Sequence, residues 1–246
     1  MYKALIIDLD GTAIPNRRDG MPSERVVNAV KKAKEKVVVC AATGRGIDGC
    51  REIIRSLGLA SPCILSGGTR VFDPVNEKVL WEKGMEPEQI DKIMEIALQY
   101  QYPVFFTDDE EGILPKYRIS NRGERIIYIE PVTPRDADII LKQLEKIPGI
   151  AVHKVMSWVK GQIDIHITHA EATKRHALEI LLGILKINKE EVVAVGDSDN
   201  DLPLFELAGY KVAMGNGSES LKKSADLVAP SVDEDGLAVV IEKMFT

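Results

Sequence analysis

Two clusters of acidic residues each follow a short apolar run of the chain. The first is Asp8-Leu9-Asp10-Gly11-Thr12, and the second is Gly196-Asp197-Ser198-Asp199-Asn200-Asp201. Both runs have the composition of buried strands, and ligands bind beyond the carboxyl ends of strands in an open parallel sheet. Carboxylates that converge at such an edge repel one another unless positive charge compensates them. Oxygen ligands suit Mg2+, which commonly bridges to phosphate. The pattern therefore predicts a Mg2+ site beside a phosphorylated ligand.

Three further features suit an anion. Ala41-Ala42-Thr43-Gly44-Arg45 offers the Thr43 hydroxyl and, at Gly44, a backbone N–H that an anion can approach closely. Ser66-Gly67-Gly68-Thr69 is another loop of small residues. Lys174 stands in the first turn of a predicted helix, where a cation opposes the helix dipole, and this placement indicates that it faces an anion. Taken singly, each loop and each acid cluster also fits an ordinary turn or cap, and the lysine also fits a solvated surface position.

The elements that must position these residues alternate between strand and helix. Apolar runs at 4–9, 37–41 and 62–65 predict strands, with a helix capped by Ser23 and another ended by Gly58 between them. Apolar strands separated by helices indicate a parallel sheet covered on both faces. The same pattern resumes late in the chain, with strands expected at 191–197, 211–214 and 226–229 and helices at 173–185, 202–208 and 236–244.

The middle of the chain has a different character. Amphipathic helices are predicted at 87–101 and 134–146, with strands at 104–107, 125–130, 151–155 and 162–168. This order is typical of an α+β sheet covered on one side. We therefore expect an inserted domain over residues 83–169 and a discontinuous core formed by 1–82 and 170–246.

Composition excludes several classes of protein. The 246 residues are 45% apolar and carry a net charge of −6. This charge argues against nucleic-acid binding, which needs a basic surface. No apolar run approaches the roughly 18 residues of a membrane span, and an acid at Asp8 comes too early for a signal peptide. Three cysteines without metal-type spacing suit the reducing cytoplasm.

Together, the motifs resemble those of the haloacid dehalogenase superfamily of phosphohydrolases. The order D-L-D-G-T, A-T-G-R, a helix-leading lysine and G-D-S-D-N-D carries this resemblance. The large insert between Thr43 and Lys174, and the tail from Val212 onwards, are similar to the Cof-type branch with an α+β type 2 cap. The resemblance implies an α/β fold: a Rossmann-like parallel sheet core with an inserted α+β cap domain.

The resemblance also implies a role for each motif residue. Asp8 would be the nucleophile, and Asp10 would act as general acid and then general base. Two sets of ligands follow. Phosphoryl oxygens would be held by Leu9, Thr43, Gly44, Lys174 and Asn200, and Mg2+ by Asp8, Asp10, Asp197 and Asp201, with Asp201 either ligating the ion or lying in its outer shell.

The implied function is a Mg2+-dependent phosphomonoesterase acting on a small phosphorylated metabolite, such as a sugar phosphate or a phosphoglycolate-like compound. A phosphosugar mutase is an alternative, and a phospho-ligand sensor without turnover is another from a different class. We expect a cytoplasmic monomer or small homo-oligomer with neither nucleic-acid nor membrane partners.

Several residues fall outside this scheme. Ser66-Gly67-Gly68 stands where Cof-type relatives commonly carry an Asn-Gly pair, and the role of Asp199 is open. Arg17 and Arg18 follow the first acid cluster, at the expected mouth of the site. The acid run 108–111 is interpreted as a solvated turn. In the cap, three residues near the return to the core are weak candidates for substrate contacts: Trp158, His166 and His169.

Overall fold

The computed structural model describes residues 1–106 and 125–245. Its elements follow in chain order. The first part of the chain forms β1 (Ala4–Ile7), α1 (Glu24–Ala33), β2 (Val38–Ala41), α2 (Ile47–Ser56), β3 (Cys63–Leu65), β4 (Arg70–Asp73) and β5 (Lys78–Glu82). The middle forms α3 (Pro87–Ala97), β6 (Val104–Phe106), β7 (Ile126–Val132), α4 (Pro134–Leu144), β8 (Ile150–Met156) and β9 (Ile163–His169). The last part forms α5 (Lys174–Leu185), β10 (Val192–Gly196), α6 (Leu202–Phe205), β11 (Tyr210–Ala213), α7 (Glu219–Ser224), β12 (Leu227–Val228) and α8 (Gly236–Phe245).

A five-stranded parallel sheet forms the centre of the protein, in the order β12-β11-β10-β1-β2. Leu5 and Ile7 face the layer that contains α1, α2 and α8, while Ala4 and Ile6 face the layer that contains α5 and α6. Strands buried on both faces explain the unbroken apolar runs. Ile7 lies beside Val195 of β10, so the acids that follow the two strands emerge at the same edge of the sheet. The predicted α/β fold is confirmed.

The strand predicted at 62–65 is present, but its neighbours differ from the prediction. β3 pairs antiparallel with β4, and β4 pairs antiparallel with β5. An isolated parallel bridge between Ala42 and Ile64 connects this small sheet to the central one. The β4–β5 hairpin was not predicted, because β5 alternates between exposed and half-buried residues and lacks the apolar run of a core strand.

A four-stranded antiparallel sheet, in the order β6-β7-β9-β8, forms the cap. One face packs against α3 and α4 through apolar side chains such as Ile129 and Ile165. Successive strand residues point to opposite faces of a sheet. Glu130, Asp164 and His166, which are adjacent to these apolar residues in the sequence, therefore lie on the other face, towards the parallel-sheet domain. All of these cap elements lie between Pro87 and His169. The domain bounds at 82–83 and 169–170 stay a prediction.

Several predicted element ends move. The helix expected at 202–208 is a single turn, Leu202–Phe205, and the helix expected at 87–101 ends at Ala97. The predicted cap at Ser23 is present, and its hydroxyl accepts a hydrogen bond from the backbone N–H of Val26. The last residue of the strand predicted at 104–107 and the acid run 108–111 lie outside the described residues. Among the described helices, none combines the length and the apolar composition needed to cross a bilayer.

The two faces of α4 provide a test of the cap core. Ile140 is fully buried in the cap, whereas the preceding residue, Ile139, is 40% exposed. Ile140→Ala should lower the free energy of unfolding by about 2–5 kcal/mol, because it deletes buried methyl groups and leaves a cavity. Ile139→Ala should change it by no more than about 1 kcal/mol. Urea denaturation of both variants measures the difference, and equal effects would contradict the described packing.

Candidate active site

Lys174, the first residue of α5, is buried between two carboxylates. Its side chain is 2% exposed, and its Nζ lies 2.8 Å from Oδ1 of Asp8 and 2.6 Å from Oδ1 of Asp201. Burial disfavours the charged amine, but the two carboxylates outweigh this effect and raise the pKa of Lys174. The lysine is therefore a fixed cation of the site. The alternative interpretation of the sequence, a solvated surface lysine, is wrong.

The Ser66–Gly68 loop fixes the start of this helix. Gly68 has a φ of +105°, and a side chain there would begin 2.1 Å from the carbonyl carbon of Thr173. Only glycine permits this approach, because a Cβ would overlap the backbone that leads into Lys174. The small-residue loop therefore supports the position of the lysine.

Asp201 organises the second acid loop. Its Oδ2 accepts hydrogen bonds from the backbone N–H groups of Asp197 (3.0 Å) and Ser198 (3.2 Å), while its Oδ1 binds Lys174. The side chain is fully buried. It packs so closely that a Cβ on Gly196 would lie 2.6 Å from its Cβ. Because both oxygens already accept hydrogen bonds, Asp201 holds the loop and the lysine in place.

Asp8, Asp197 and Asp201 form a compact carboxylate cluster, in which one ligand oxygen of each lies within 4.8 Å of the others. Burial raises the pKa of Asp8 to about 8, and the charge of Asp201 adds to this effect while Lys174 opposes it. Burial also raises the pKa of Asp197, and the charge of Asp8 contributes. Hard carboxylate oxygens that are short of positive charge suit a divalent cation, so this cluster can hold a metal ion.

Gly11 explains how the two acid loops come so close. It has a φ of +76°, and a Cβ there would lie 2.1 Å from Oδ2 of Asp197. Asn216 ties the same two loops together, since its Nδ2 donates to the carbonyl of Gly11 (2.9 Å) and lies 3.5 Å from Oδ2 of Asp197. Asn216 lies in the tail that carried the family resemblance, but that resemblance gave it no role.

Asp10 is held by a cation that the sequence analysis left without a role. Arg45 forms a two-point ion pair with it, with Nε 2.8 Å from Oδ2 and Nη2 2.6 Å from Oδ1. The guanidinium also donates to the carbonyls of Arg17 and Arg18 and lies 5.2 Å from the ring centre of Trp158 in the cap. Such a fork fixes the plane of a carboxylate as well as its position.

The remaining predicted phosphate ligands lie around this centre. Thr43 is fully buried, and its Oγ1 accepts a hydrogen bond from the backbone N–H of Arg45 (3.1 Å). Gly44 lines the cavity, and its carbonyl lies 3.4 Å from the Tyr128 hydroxyl of the cap. Leu9 follows Asp8 and precedes Asp10 in the chain, and its side chain is buried in the core. Asn200 lines the cavity, and its Oδ1 accepts a hydrogen bond from the Ser198 hydroxyl (2.7 Å).

A cavity of about 1030 Å³ separates these loops from the cap sheet. Four of the predicted site residues are buried and are not among the lining residues: Leu9, Thr43, Lys174 and Asp201. The lining includes Asp8, Asp10, Gly44, Asp197 and Asn200 from the core and Phe105, Tyr128, Glu130, Trp158, Asp164 and His166 from the cap.

The weaker candidates separate into two groups. Trp158, His166 and Arg18 line the cavity. His169 instead accepts a hydrogen bond from the backbone N–H of Glu171, and Asp199 binds the hydroxyl groups of Ser218 and Ser220.

Glu130, Asp164 and Tyr128 were missed as site residues. The one signal in the sequence is the alternation of Asp164 and His166 with Ile163, Ile165 and Ile167, which places Asp164 on a polar face of its strand.

The chain belongs to the haloacid dehalogenase-like hydrolases, whose family profile matches residues 5–132 and 121–241. It is 30% identical to a phosphoglycolate phosphatase of Archaeoglobus fulgidus, over 98% of this chain and 96% of that protein. It is 23% identical to the 5-amino-6-(5-phospho-D-ribitylamino)uracil phosphatase YitU of Bacillus subtilis, over 98% and 97%. The fold is similar to that of a haloacid dehalogenase-like hydrolase from B. subtilis, with a TM-score of 0.85, 21% identity, and coverage of 98% and 99%. The predicted family and enzyme class are confirmed.

The buried ion pairs of Lys174 allow a test by stability. Lys174→Met should lower the free energy of unfolding by about 3–5 kcal/mol in metal-free buffer, because it leaves buried carboxylates without their cation. Its neighbour Arg175 forms exposed ion pairs with Glu179 and Glu206, so Arg175→Met should change stability by no more than about 1 kcal/mol. Chemical denaturation compares the two, and a Lys174→Met variant as stable as the wild type would refute the described role.

Proposed function

We propose that this protein is a Mg2+-dependent phosphomonoesterase that hydrolyses a small phosphorylated metabolite through an aspartyl-phosphate on Asp8. The observation that carries the proposal is that Asp8, Asp10 and Asp197 line one cavity, with the buried Lys174 paired to Asp8. The relatives named as phosphatases support it.

The carboxylates of Asp8 and Asp197, with the backbone carbonyl of Asp10, are the proposed ligands of Mg2+. Their fit rests on the buried, closely spaced oxygens and on the raised pKa values of both aspartates. Asp201 is the positioning group of this set, since its oxygens already bind Lys174 and two backbone N–H groups. When bound, the ion supplies positive charge to the carboxylates and to the phosphoryl oxygens.

The first displacement is an attack on phosphorus. A carboxylate oxygen of Asp8 forms a bond to phosphorus, while the bond from phosphorus to the leaving oxygen breaks. Asp10 must enter this step protonated, not in its ion pair with Arg45, and it gives its proton to that oxygen, which departs as an alcohol. Lys174 Nζ, 2.8 Å from Asp8, stays beside the reacting carboxylate and balances negative charge.

The second displacement releases phosphate. Asp10, now ionised, takes a proton from water as the water oxygen attacks phosphorus, and the bond to Asp8 breaks. Arg45 pairs with the ionised Asp10 carboxylate and keeps it in one plane for this step. The phosphoryl oxygens are held by the Thr43 hydroxyl, the Leu9 and Gly44 backbone N–H groups, Lys174 and Asn200. Because negative charge spreads over these oxygens in the transition state, fixed donors of this kind lower the barrier.

Substitution of the nucleophile tests this mechanism. Asp8→Asn should reduce kcat/KM for p-nitrophenyl phosphate by about a thousandfold or more in the presence of Mg2+, because the amide cannot form the covalent intermediate. Asp19→Asn, in an exposed loop, is the matched control and should retain full activity. Retained Mg2+-dependent turnover in Asp8→Asn would refute the nucleophile, and wild-type binding of phosphate esters without turnover would favour the sensor alternative.

Two acids of the same loop test the metal site. Asp197→Asn should abolish activation by Mg2+ and the rise in thermal midpoint that Mg2+ produces in the wild type, because a carboxylate ligand is lost. Asp199→Asn should preserve both responses, since Asp199 faces Ser218 and Ser220. Thermal melting with Mg2+ or EDTA, beside initial rates, provides the measurement. Equal responses of the two variants would contradict this assignment.

A further inference from the structure

The cap face of the cavity carries a second cluster of polar groups. Glu130 of β7 and Asp164 and His166 of β9 line the cavity opposite the catalytic loops. One polar atom from each lies within 4.8 Å of the others. The proposed phosphoryl chemistry does not use any of them, so they are available to contact another part of a substrate.

Asp164 has an unsatisfied oxygen. The residue is 8% exposed, and its Oδ1 has no hydrogen-bond partner within the described ranges 1–106 and 125–245. A buried carboxylate oxygen is costly without a partner, so the occupant of the cavity must supply a donor. A hydroxyl group is such a donor.

Glu130 and Asp164 together can also offer a hydrogen-bond donor to a ligand. One polar atom of each lies within 4.8 Å of the other, so the charge of one carboxylate opposes the ionisation of its neighbour. Burial, and then the charge of Asp164, raises the pKa of Glu130 to about 7, although Arg18 opposes this shift. A carboxylate beside a carboxyl group that keeps its proton presents acceptor oxygens and an O–H donor, and a hydroxyl group can bond to both.

Aromatic side chains line the same cavity as this pair. They are Phe105, Tyr128 and Trp158, and the Tyr128 ring packs edge-on against the His166 ring, with 4.8 Å between the ring centres. Burial lowers the pKa of His166 to about 3, so its imidazole is neutral and can donate or accept a hydrogen bond without carrying charge. Apolar ring faces beside hydroxyl-binding groups match the alternating C–H and O–H surfaces of a sugar or polyol.

The charged residues that line the cavity favour an uncharged ligand of this kind over an acidic one. Among the described lining residues, the arginines are Arg18 and Arg45, and Arg45 is engaged by Asp10. Arg18 is exposed, and its charge acts on Glu130. Within the described lining, a carboxylate on the leaving group would therefore meet two carboxyl groups against one exposed arginine, and like charges brought together weaken binding.

We propose that Glu130, Asp164 and His166 form a subsite for an uncharged leaving group rich in hydroxyl groups, and that they discriminate against a leaving group that bears a carboxylate. This subsite rests on the proposed phosphatase function and narrows its two substrate types to the sugar or polyol phosphates.

Two matched pairs of phosphate esters test the subsite. Sorbitol 6-phosphate and 6-phosphogluconate differ at C1, where one has a hydroxymethyl group and the other a carboxylate; glycerol 3-phosphate and 3-phosphoglycerate differ in the same way. The wild type should show a kcat/KM about tenfold or more higher for the neutral member of at least one pair. Equal values, or a preference for the acid, in both pairs would overturn the proposal. A preference for the acid would indicate that Arg18 is the group that contacts the leaving group.

Neutral variants locate the effect. Glu130→Gln and Asp164→Asn keep the side-chain shape and remove charge, so the preference for the neutral ester should fall about fivefold or more. Asp138→Asn, on α4 and paired with Lys154 at the surface, should keep the wild-type preference. The rate with p-nitrophenyl phosphate normalises each variant, which removes losses due to misfolding from the ratio. A preference that is unchanged in both cavity variants would refute the assignment.

Failure of the underlying function gives a different result. If the wild type hydrolyses neither p-nitrophenyl phosphate nor any ester of the two pairs, the proposed phosphatase is wrong. Dissociation constants of the same pairs on the Asp8→Asn protein, measured by calorimetry, then test the subsite alone. Tighter binding of the neutral ester supports it, and equal or weaker binding overturns it.

Discussion

The buried ammonium of Lys174 is the interaction on which the arrangement of the site depends. It is the cation that lies between Asp8 and Asp201, and these residues come from opposite ends of the chain. Asp201 in turn bonds the backbone at Asp197, so a single charge fixes both acid loops. Without it, buried carboxylates would face one another with no fixed compensation. The lysine thus makes it possible to concentrate negative charge where a phosphoryl group and a cation must bind.

The catalytic core was predictable because its signals are local. Apolar runs that end in acids predict both the parallel strands and the edge where their ligands lie, and the structure brings Asp8, Asp10 and Asp197 to one cavity. The position of Lys174 in a first helical turn indicated an anionic partner, and it contacts two. The antiparallel hairpin of β4 and β5 gave a weaker signal, since its half-exposed second strand lacks a continuous apolar run.

Contacts between distant segments were not predictable in the same way. Arg45 stood in a quoted motif, but nothing in its neighbourhood in the sequence indicated a two-point ion pair with Asp10. Glu130 and Asp164 lie on different strands, and their proximity depends on the register of β7 and β9, which includes an irregularity at this position. Register is set by three-dimensional packing, so a single sequence does not reveal which polar residues of two strands become neighbours.

The position of β1 in the middle of the central sheet has a consequence for protein synthesis. Its neighbours are β2, which follows soon after it, and β10, which is made near the end of the chain. During translation one edge of β1 therefore stays unpaired while the cap is produced, and open strand edges promote association between chains. Contacts between such distant segments also slow folding. The central sheet can therefore be completed only after β10 has left the ribosome.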